Sequence, residues 1–284
     1  MASTRSDLIL RPVRPADRER VIELTRDIWD GHDYLPRVFD EWVSDAGAAF
    51  QAAEVDGEVV GLHRVRPYAP GLVWYEGLRV ASTHRRHGIA RAMLEAAIED
   101  ARQQGFREMR LGTGNPDAVS LFESAGFVRV SDLRWWRGQR VEGGEPARMP
   151  EAAEAGRLWG MLSTSPGTEL YRGVVPDFNG ARSLDQAELE RLASEGMLRV
   201  GPGGRSAAGL REPWGENIAV ALLLGAGASL RELLMALRFE ADADGLDHVT
   251  VSLPRGHPAE EDMRASGYDF ANEEDTAYIY ALKL

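Results

Sequence analysis

The chain of 284 residues has no cysteine, which excludes a disulfide framework and thiolate chemistry. Lysine is almost missing as well: Lys283 stands alone among 33 basic residues, so arginine supplies nearly all the positive charge. No apolar run approaches the ~20 residues of a membrane-spanning helix. The longest, IAVALLLG at 218–225, has the length of a strand, and the opening MASTRSDLIL lacks the apolar region of a signal peptide. A soluble, cytoplasmic chain without a membrane partner is expected. The six histidines, at 32, 63, 84, 87, 248 and 257, form no HxxxH or HExxH pair, so no metal site is expected. Basic residues are outnumbered by 45 acidic ones, for a formal charge of -12. Nucleic-acid affinity comes mainly from phosphates neutralised by Lys and Arg, so a nucleic-acid partner is not expected, and an amine-bearing small molecule fits the charge better.

What is present describes a globular chain long enough for two domains, with 44% hydrophobic and 27% charged residues. The strand LILRPV at 8–13 precedes a helix opened by RPAD, with Val21, Ile22, Leu24, Ile28 and Trp29 at helical spacing. DGHDYLP at 30–36 breaks it, and Val38, Phe39, Trp42 and Val43 restart a helix. Three strand-like runs follow, at 48–55, 58–65 and 72–80, the first two joined by Asp56-Gly57. A helix from Gly88 places Ile89, Met93, Leu94, Ala97, Ile98 and Ala101 on one face and stops at Gly105. Then come strand 108–114, an N-cap at Asn115 with Pro116 after it, helix 118–125 and strand 127–136. The order β-α-α-β-β-β-α-β-α-β is a mixed α/β domain.

Residues 138–156 are rich in Gly, Pro, Glu and Ala, a linker composition. The expected division is a first domain at 1–140, a linker at 141–156 and a second domain at 157–284. The second half reads as helix 184–196, strands 197–200, 206–211 and 218–225, helix 230–245, strand 248–254, helix 258–267 and strand 278–284. SAGF at 124–127 and ASGY at 265–268 occupy matching places, which points to a weak internal duplication. GAGAS at 225–229 lacks the basic residues found at the equivalent place in the first half.

That place is HRRHGIARAML at 84–94, between a buried strand and a helix. A helix mouth presents unpaired N–H groups at the positive end of the helix dipole, which suits phosphate. Gly88 lets the backbone approach closely, Ala90 does not obstruct it, and Arg85, Arg86 and Arg91 add positive charge. In an acidic chain this local basicity asks for an anion.

With VWYEGLRV at 73–80, RRHGIA at 85–90 resembles the acetyl-coenzyme A signature of the GNAT superfamily of N-acetyltransferases, and NPDAVSLFESAGF at 115–127 resembles its second motif. The resemblance covers about residues 7–137. It implies a GNAT fold, a mixed, mostly antiparallel sheet flanked by helices, with a second, degenerate GNAT-like domain behind it. It implies acetyl-coenzyme A as co-substrate, with no metal. The pyrophosphate would be held by the loop of Arg85, Arg86, His87, Gly88, Ile89, Ala90 and Arg91. The pantetheine arm would pair with the Leu78-Arg79-Val80 backbone, and Asn115 and Phe122 would lie on its far side. DGHDYLP together with EGLRV at 76–80 is similar to the histidine N-acetyltransferase group, which also carries a second domain.

Transfer to an amine requires a base, because amines are mostly protonated at neutral pH. Glu76, between Trp74-Tyr75 and the cofactor loop, is the candidate, with burial expected to raise its pKa; a solvent-facing strand carboxylate is the alternative. Many family members have tyrosine where this chain has Phe122, so the proton donor is open among Tyr34, Tyr75, water or none. Asp33 and Tyr34 are candidates for the amine pocket, or simply turn residues. His63 and His84 read as structural or surface residues. Trp135, Trp136, Trp159 and Trp214 read as packing, and Glu273, Glu274 and Asp275 as a solvated turn. The function implied is acetyl transfer to a primary amine of a small molecule, such as the α-amino group of histidine. A coenzyme A-binding sensor without turnover and an antibiotic-amine acetyltransferase are the alternatives, and a homodimer is open.

Overall fold

A computed structural model of the chain describes residues 8–26, 28–31, 33–177, 180–213, 215–271 and 277–284. His32, Trp214, Glu273, Glu274 and Asp275 lie outside the described residues. The chain forms two compact units. The first comprises Met1–Leu111, Asp117–Phe127 and Ala281–Leu284, and the second Gly112–Pro116 and Val128–Tyr280.

In the first unit the expected order of elements appears: β1 (Ile9–Pro12), α1 (Arg18–Thr25), α2 (Leu35–Ser44), β2 (Ala49–Val55), β3 (Glu58–Ala69), β4 (Leu72–Val80), α3 (Ile89–Gln103), β5 (Glu108–Thr113) and α4 (Pro116–Ser124). Strands β1 to β4 pair antiparallel in sequence order, and β5 joins β4 in parallel across the α3 crossover. One face of this sheet is covered by α1 and α2, through Val21, Leu35, Phe39 and Trp42 packed on Phe50 and Leu62. The other is covered by α3, whose Ile89 and Met93 pack on Ala53 and Val60. Gly105 stops α3 at φ +80°, and Phe106 N–H returns to Ala101 O at 3.1 Å, closing the last turn as a left-handed cap does. Helix α1 is shorter than its apolar spacing suggests. It ends at Thr25, a separate 3-10 turn spans Ile28–Gly31, and Ile22 is exposed, because the covered stripe is only two turns long.

The second unit contains β6 (Val128–Gln139), α5 (Ala155–Leu162), β7 (Val174–Asp177), β8 (Gly180–Ser183), α6 (Gln186–Ser194), β9 (Leu198–Val200), β10 (Ser206–Arg211), β11 (Asn217–Gly225), α7 (Gly227–Ala243), β12 (His248–Pro254), α8 (Glu260–Ala265) and β13 (Tyr268–Phe270); the last strand is β14 (Ala277–Lys283). Here β9-β10-β11 pair antiparallel, β12 joins β11 in parallel across α7, and β6 pairs antiparallel with β12. That repeats the β3-β4-α3-β5 arrangement. Gly126 after α4 and Gly267 after α8 both have left-handed φ, +92° and +76°, so the SAGF and ASGY strings each end a helix in the same way.

The stretch at 141–156 lies within the second unit, mostly exposed but anchored at a few positions. Ala147 is buried against α7, Arg148 bridges Val200, and α5, which begins within it, buries Ala155, Leu158 and Leu162. Its small residues fit narrow spaces: a Cβ on Gly144 would meet the Phe239 ring at 2.4 Å. Among the described residues no helix is long and apolar enough to cross a membrane.

Candidate active site

The site is built on β4. Its parallel ladder with β5 runs from Leu72↔Glu108 to Tyr75↔Leu111 and ends there, whereas β4 continues to Val80. On its other side β4 bulges: Leu62 faces Arg79 and Arg64 faces Glu76, so an extra β4 residue stands opposite His63. Gly77 makes this bulge. Its φ is +70°, and a Cβ there would lie 2.7 Å from the Trp42 ring, so glycine is required both by conformation and by space. The carbonyls of Leu78 and Val80 face side chains, Arg79 Nη1 at 3.0 Å and Arg85 Nε at 3.4 Å.

Beyond β4 the chain crosses 81–88 and enters α3. Arg86 and Gly88 have φ of +64° and +83°, and the first helical bond is Ala92 N–H to Gly88 O at 3.0 Å. The amides of Ile89, Ala90 and Arg91 therefore belong to the unpaired first turn. Arg85, Arg86, His87, Gly88 and Arg91 are exposed, and a Cβ on Gly88 would meet nothing within 4 Å. Open space, left-handed backbone and helix amides meet here beside exposed arginines, with Arg85 turned to Val80 O and Arg91 Nη2 donating to Ser124 Oγ at 2.8 Å, and the backbone arrangement fits an anionic group. Ile89 contributes only its backbone, since its side chain is in the core.

Glu76 is not in the apolar surroundings that Trp74 and Tyr75 suggested: Tyr75 points to the opposite sheet face, and on its own face Glu76 meets Arg64 and Arg66. Its Oε1 accepts from Arg64 Nη1 at 2.7 Å and Arg66 Nε at 3.0 Å, and its side chain is 15% exposed. Among the described residues no hydrogen bond to Oε2 is found, so one oxygen is anchored by both arginines and the other is not. Arg64 is buried, lies 4.7 Å from the Trp42 ring centroid and pairs through Nη2 with Asp45. The Gly47 N–H, then Arg64, hold the Asp45 carboxyl below its usual range against the opposing effect of burial.

Asp33 is buried and already engaged: it accepts from Arg79 at 2.7 and 3.2 Å and from Leu35 N–H at 3.0 Å. It fixes the entry to α2 and the Arg79 side chain, so the role of a free counter-ion for an ammonium does not match its geometry. Arg79 is thereby turned to Asp33 and to the Tyr34 ring, 5.5 Å away, while its Nη1 also donates to Leu78 O at 3.0 Å. Tyr34 packs on Trp42 at 5.9 Å, and burial, partly countered by Arg79, pushes its hydroxyl up to about 12. It therefore holds its proton at neutral pH. Tyr75 is fully buried, with its hydroxyl 3.1 Å from His63 Nδ1, and burial raises its pKa. His63 is a core residue, pushed down to about 4 by burial. Phe122, expected beside the cofactor arm, is buried between Tyr75 (6.2 Å) and Phe127 (5.8 Å). Asn115 directly precedes α4 and groups with the second unit.

Arg64, Arg66, Asp45 and Trp42 were not singled out from sequence. The alternation in HRVR at 63–66 was the available signal, since it puts both arginines on one strand face. Among the described residues no group of three or more His, Asp or Glu is placed to hold a metal.

Residues 18–127 match the Acetyltransferase (GNAT) family. N-acetyltransferase 8 from Mus musculus is 32% identical over 108 residues, 36% of this chain and 48% of that protein. Histidine N-acetyltransferase from Oreochromis niloticus is 32% identical over 84 residues, 29% of this chain and 25% of that protein. The chain thus spans about half the length, or less, of these curated relatives. A GCN5-related N-acetyltransferase from Sphaerobacter thermophilus shares the fold over 97% of this chain and 95% of its own, with a TM-score of 0.60 at 13% identity. The first unit carries a GNAT acetyltransferase domain, in the α/β fold of that family.

Proposed function

We propose that the chain is an acetyl-coenzyme A-dependent N-acetyltransferase acting on a primary amine of a small molecule. The observation that carries this is the run of β4 past its last rung with β5 into the left-handed, arginine-lined mouth of α3. Strand β4 offers the backbone of Leu78 and Val80 to the amides of a pantetheine arm, and the loop at 85–91 offers amides and guanidiniums to a pyrophosphate. The thioester supplies the acetyl group. Glu76 Oε2 takes a proton from the incoming ammonium, Arg64 and Arg66 hold Glu76 in place, and the amine nitrogen bonds to the acetyl carbon as the carbon–sulfur bond breaks. The nitrogen loses its second proton as the adduct collapses, and the departing thiolate gains one, the transfer running through water or through Tyr34.

The amine we propose is the α-amino group of an amino acid such as histidine. Support comes from the relative named for histidine and from the balanced charge around Glu76, where Asp33, Asp45 and Glu76 face Arg64, Arg66 and Arg79. A neutral cluster suits a zwitterion better than a polycation such as an aminoglycoside. The second unit, in this reading, is a degenerate copy of the same fold. Phe122, an apolar core residue at the place where many relatives carry tyrosine, favours one competitor, a coenzyme A sensor without turnover. Free-thiol release with a panel of amino acids, polyamines and aminoglycosides, with mass detection of products, separates them: thiol release that depends on an α-amino acid is expected, and binding of acetyl-coenzyme A without amine-dependent release would establish the sensor.

A further inference from the structure

We infer that the second unit is closed to coenzyme A by its own side chains, so that one chain takes one coenzyme A, in the first unit. The inference rests on the reading that β4 and the loop after it are the cofactor site.

The two units can be aligned by where their parallel ladders stop. The β4–β5 ladder ends at Tyr75↔Leu111, and the β11–β12 ladder ends at Val220↔Val251. Each strand then bulges against its antiparallel neighbour, β4 around Gly77 and β11 between Val220 and Leu222, and continues without a rung to the parallel partner. Leu78 and Val80 lie three and five residues past the last rung of β4. Leu223 and Gly225 lie three and five past that of β11. These equivalent residues project their backbone groups to the same open edge.

In the first unit the Leu78 and Val80 carbonyls accept from the adjacent Arg79 and Arg85 side chains, each carbonyl keeping a second lone pair, whereas in the second unit side chains from a distant segment take the edge. Leu223 N–H donates to the Tyr171 hydroxyl at 2.9 Å, and the hydroxyl donates to Leu223 O at 3.2 Å. Gly225 N–H donates to Ser165 Oγ at 3.1 Å. Tyr171 is completely buried and packs with Leu222 and Leu224 in one apolar cluster. A side chain from the 165–171 segment thus makes each of the two rungs that would be offered to a pantetheine arm.

The helix mouth is closed too. In the first unit eight residues, three of them Arg85, Arg86 and His87, separate β4 from α3; in the second only Ala226 separates β11 from α7. Gly227 N–H, in the first turn of α7, donates to Asp262 Oδ2 at 2.8 Å, and Arg231 Nη1 donates to Oδ1 at 2.6 Å. A mostly buried carboxylate stands where a phosphate would have to go, and the nearby guanidinium is committed to it. Two like charges at this spacing repel, so a diphosphate must displace Asp262 before it can bind.

Native mass spectrometry of the intact chain with coenzyme A, combined with residue-level hydrogen exchange, tests this. One coenzyme A per chain is expected, with new protection at Leu78, Val80 and the 86–91 amides and no change at Leu223, Gly225 or Gly227. Two per chain, or one that protects 223–227 and survives Gly88→Val, would overturn the inference while leaving a coenzyme A-binding chain. No binding at all would instead remove the first-unit reading on which it rests.

Discussion

His63 gives the best-defined energetic consequence. Its ring is buried on β3, with Nε2 3.1 Å from Gln51 Oε1 and Nδ1 3.1 Å from the Tyr75 hydroxyl. The amide oxygen only accepts, so Nε2 carries the proton and Nδ1 accepts from Tyr75. Protonating Nδ1 would break the bond to the strand that carries Glu76 and bury an uncompensated charge. Burial therefore pushes the folded-state pKa down to about 4 from an ordinary value of 6.5. Between those values the unfolded chain binds a proton that the folded chain does not, so stability falls as pH falls. The contribution is complete above pH 6.5; about 2 kcal/mol of it is lost by pH 5 and about 3 kcal/mol by pH 4. His257, in the second unit, is also pushed down to about 4 by burial and adds a similar loss. Urea unfolding at pH 7.5 and pH 5 is the assay, with His63→Gln as the perturbation. The variant is less stable at pH 7.5, yet its loss between the two pH values is smaller than the parent's by about 2 kcal/mol. Equal losses in parent and variant would refute the claim that His63 is held neutral.

Glu76→Gln keeps an oxygen for Arg64 and Arg66 but cannot take the amine's proton. A kcat/KM roughly 10²- to 10⁴-fold lower is expected with the dissociation constant for acetyl-coenzyme A unchanged, and a loss under tenfold in thiol-release assays would remove Glu76 from the chemistry. Gly77→Ala forces a Cβ to within 2.7 Å of the Trp42 ring at φ +70°. It should destabilise by about 2–4 kcal/mol from strain and overpacking together, read by thermal unfolding, and a cost below 1 kcal/mol would contradict the bulge geometry. Tyr171→Phe strands the N–H and C=O of Leu223 in an apolar core. Its expected cost is about 1–3 kcal/mol for each group, measured by urea unfolding, whereas a neutral substitution would show that water reaches the β11 edge.

The first unit was largely legible because its signals were local and mutually consistent. Asp56-Gly57 made the β2–β3 hairpin, Gly105 ended α3, and the apolar spacing from Ile89 to Ala101 described the buried stripe of that helix. What failed depended on contacts between distant residues. Glu76 was assigned an apolar setting from its neighbours in sequence, but its environment comes from Arg64 and Arg66 across the strand pair. Asp33 accepts from Leu35 N–H at the entry to α2, as its turn residues suggest, but its ion-pair partner is Arg79, 46 residues away. The linker composition at 141–156 is an average, whereas two single positions in it, Ala147 and Ala155, are buried in apolar clusters. The short β7–β8 ribbon and β13 have too few residues to show a period. The closing of the second unit's edge could not be read at all, since Tyr171 lies 52 residues from Leu223.

The central claim is that the backbone from β4 into α3 grips the diphosphate and pantetheine of coenzyme A. Calorimetry of coenzyme A with the parent chain and with Gly88→Val tests it most directly. No atom lies within 4 Å of a Cβ at Gly88, so valine costs only the left-handed strain, about 1–2 kcal/mol of stability, and leaves the fold intact. The parent should bind, and the folded variant should bind at least about tenfold more weakly, since a β-branched residue shifts the loop amides. A parent that gives no heat of binding, or a folded variant that binds as tightly as the parent, would contradict the account.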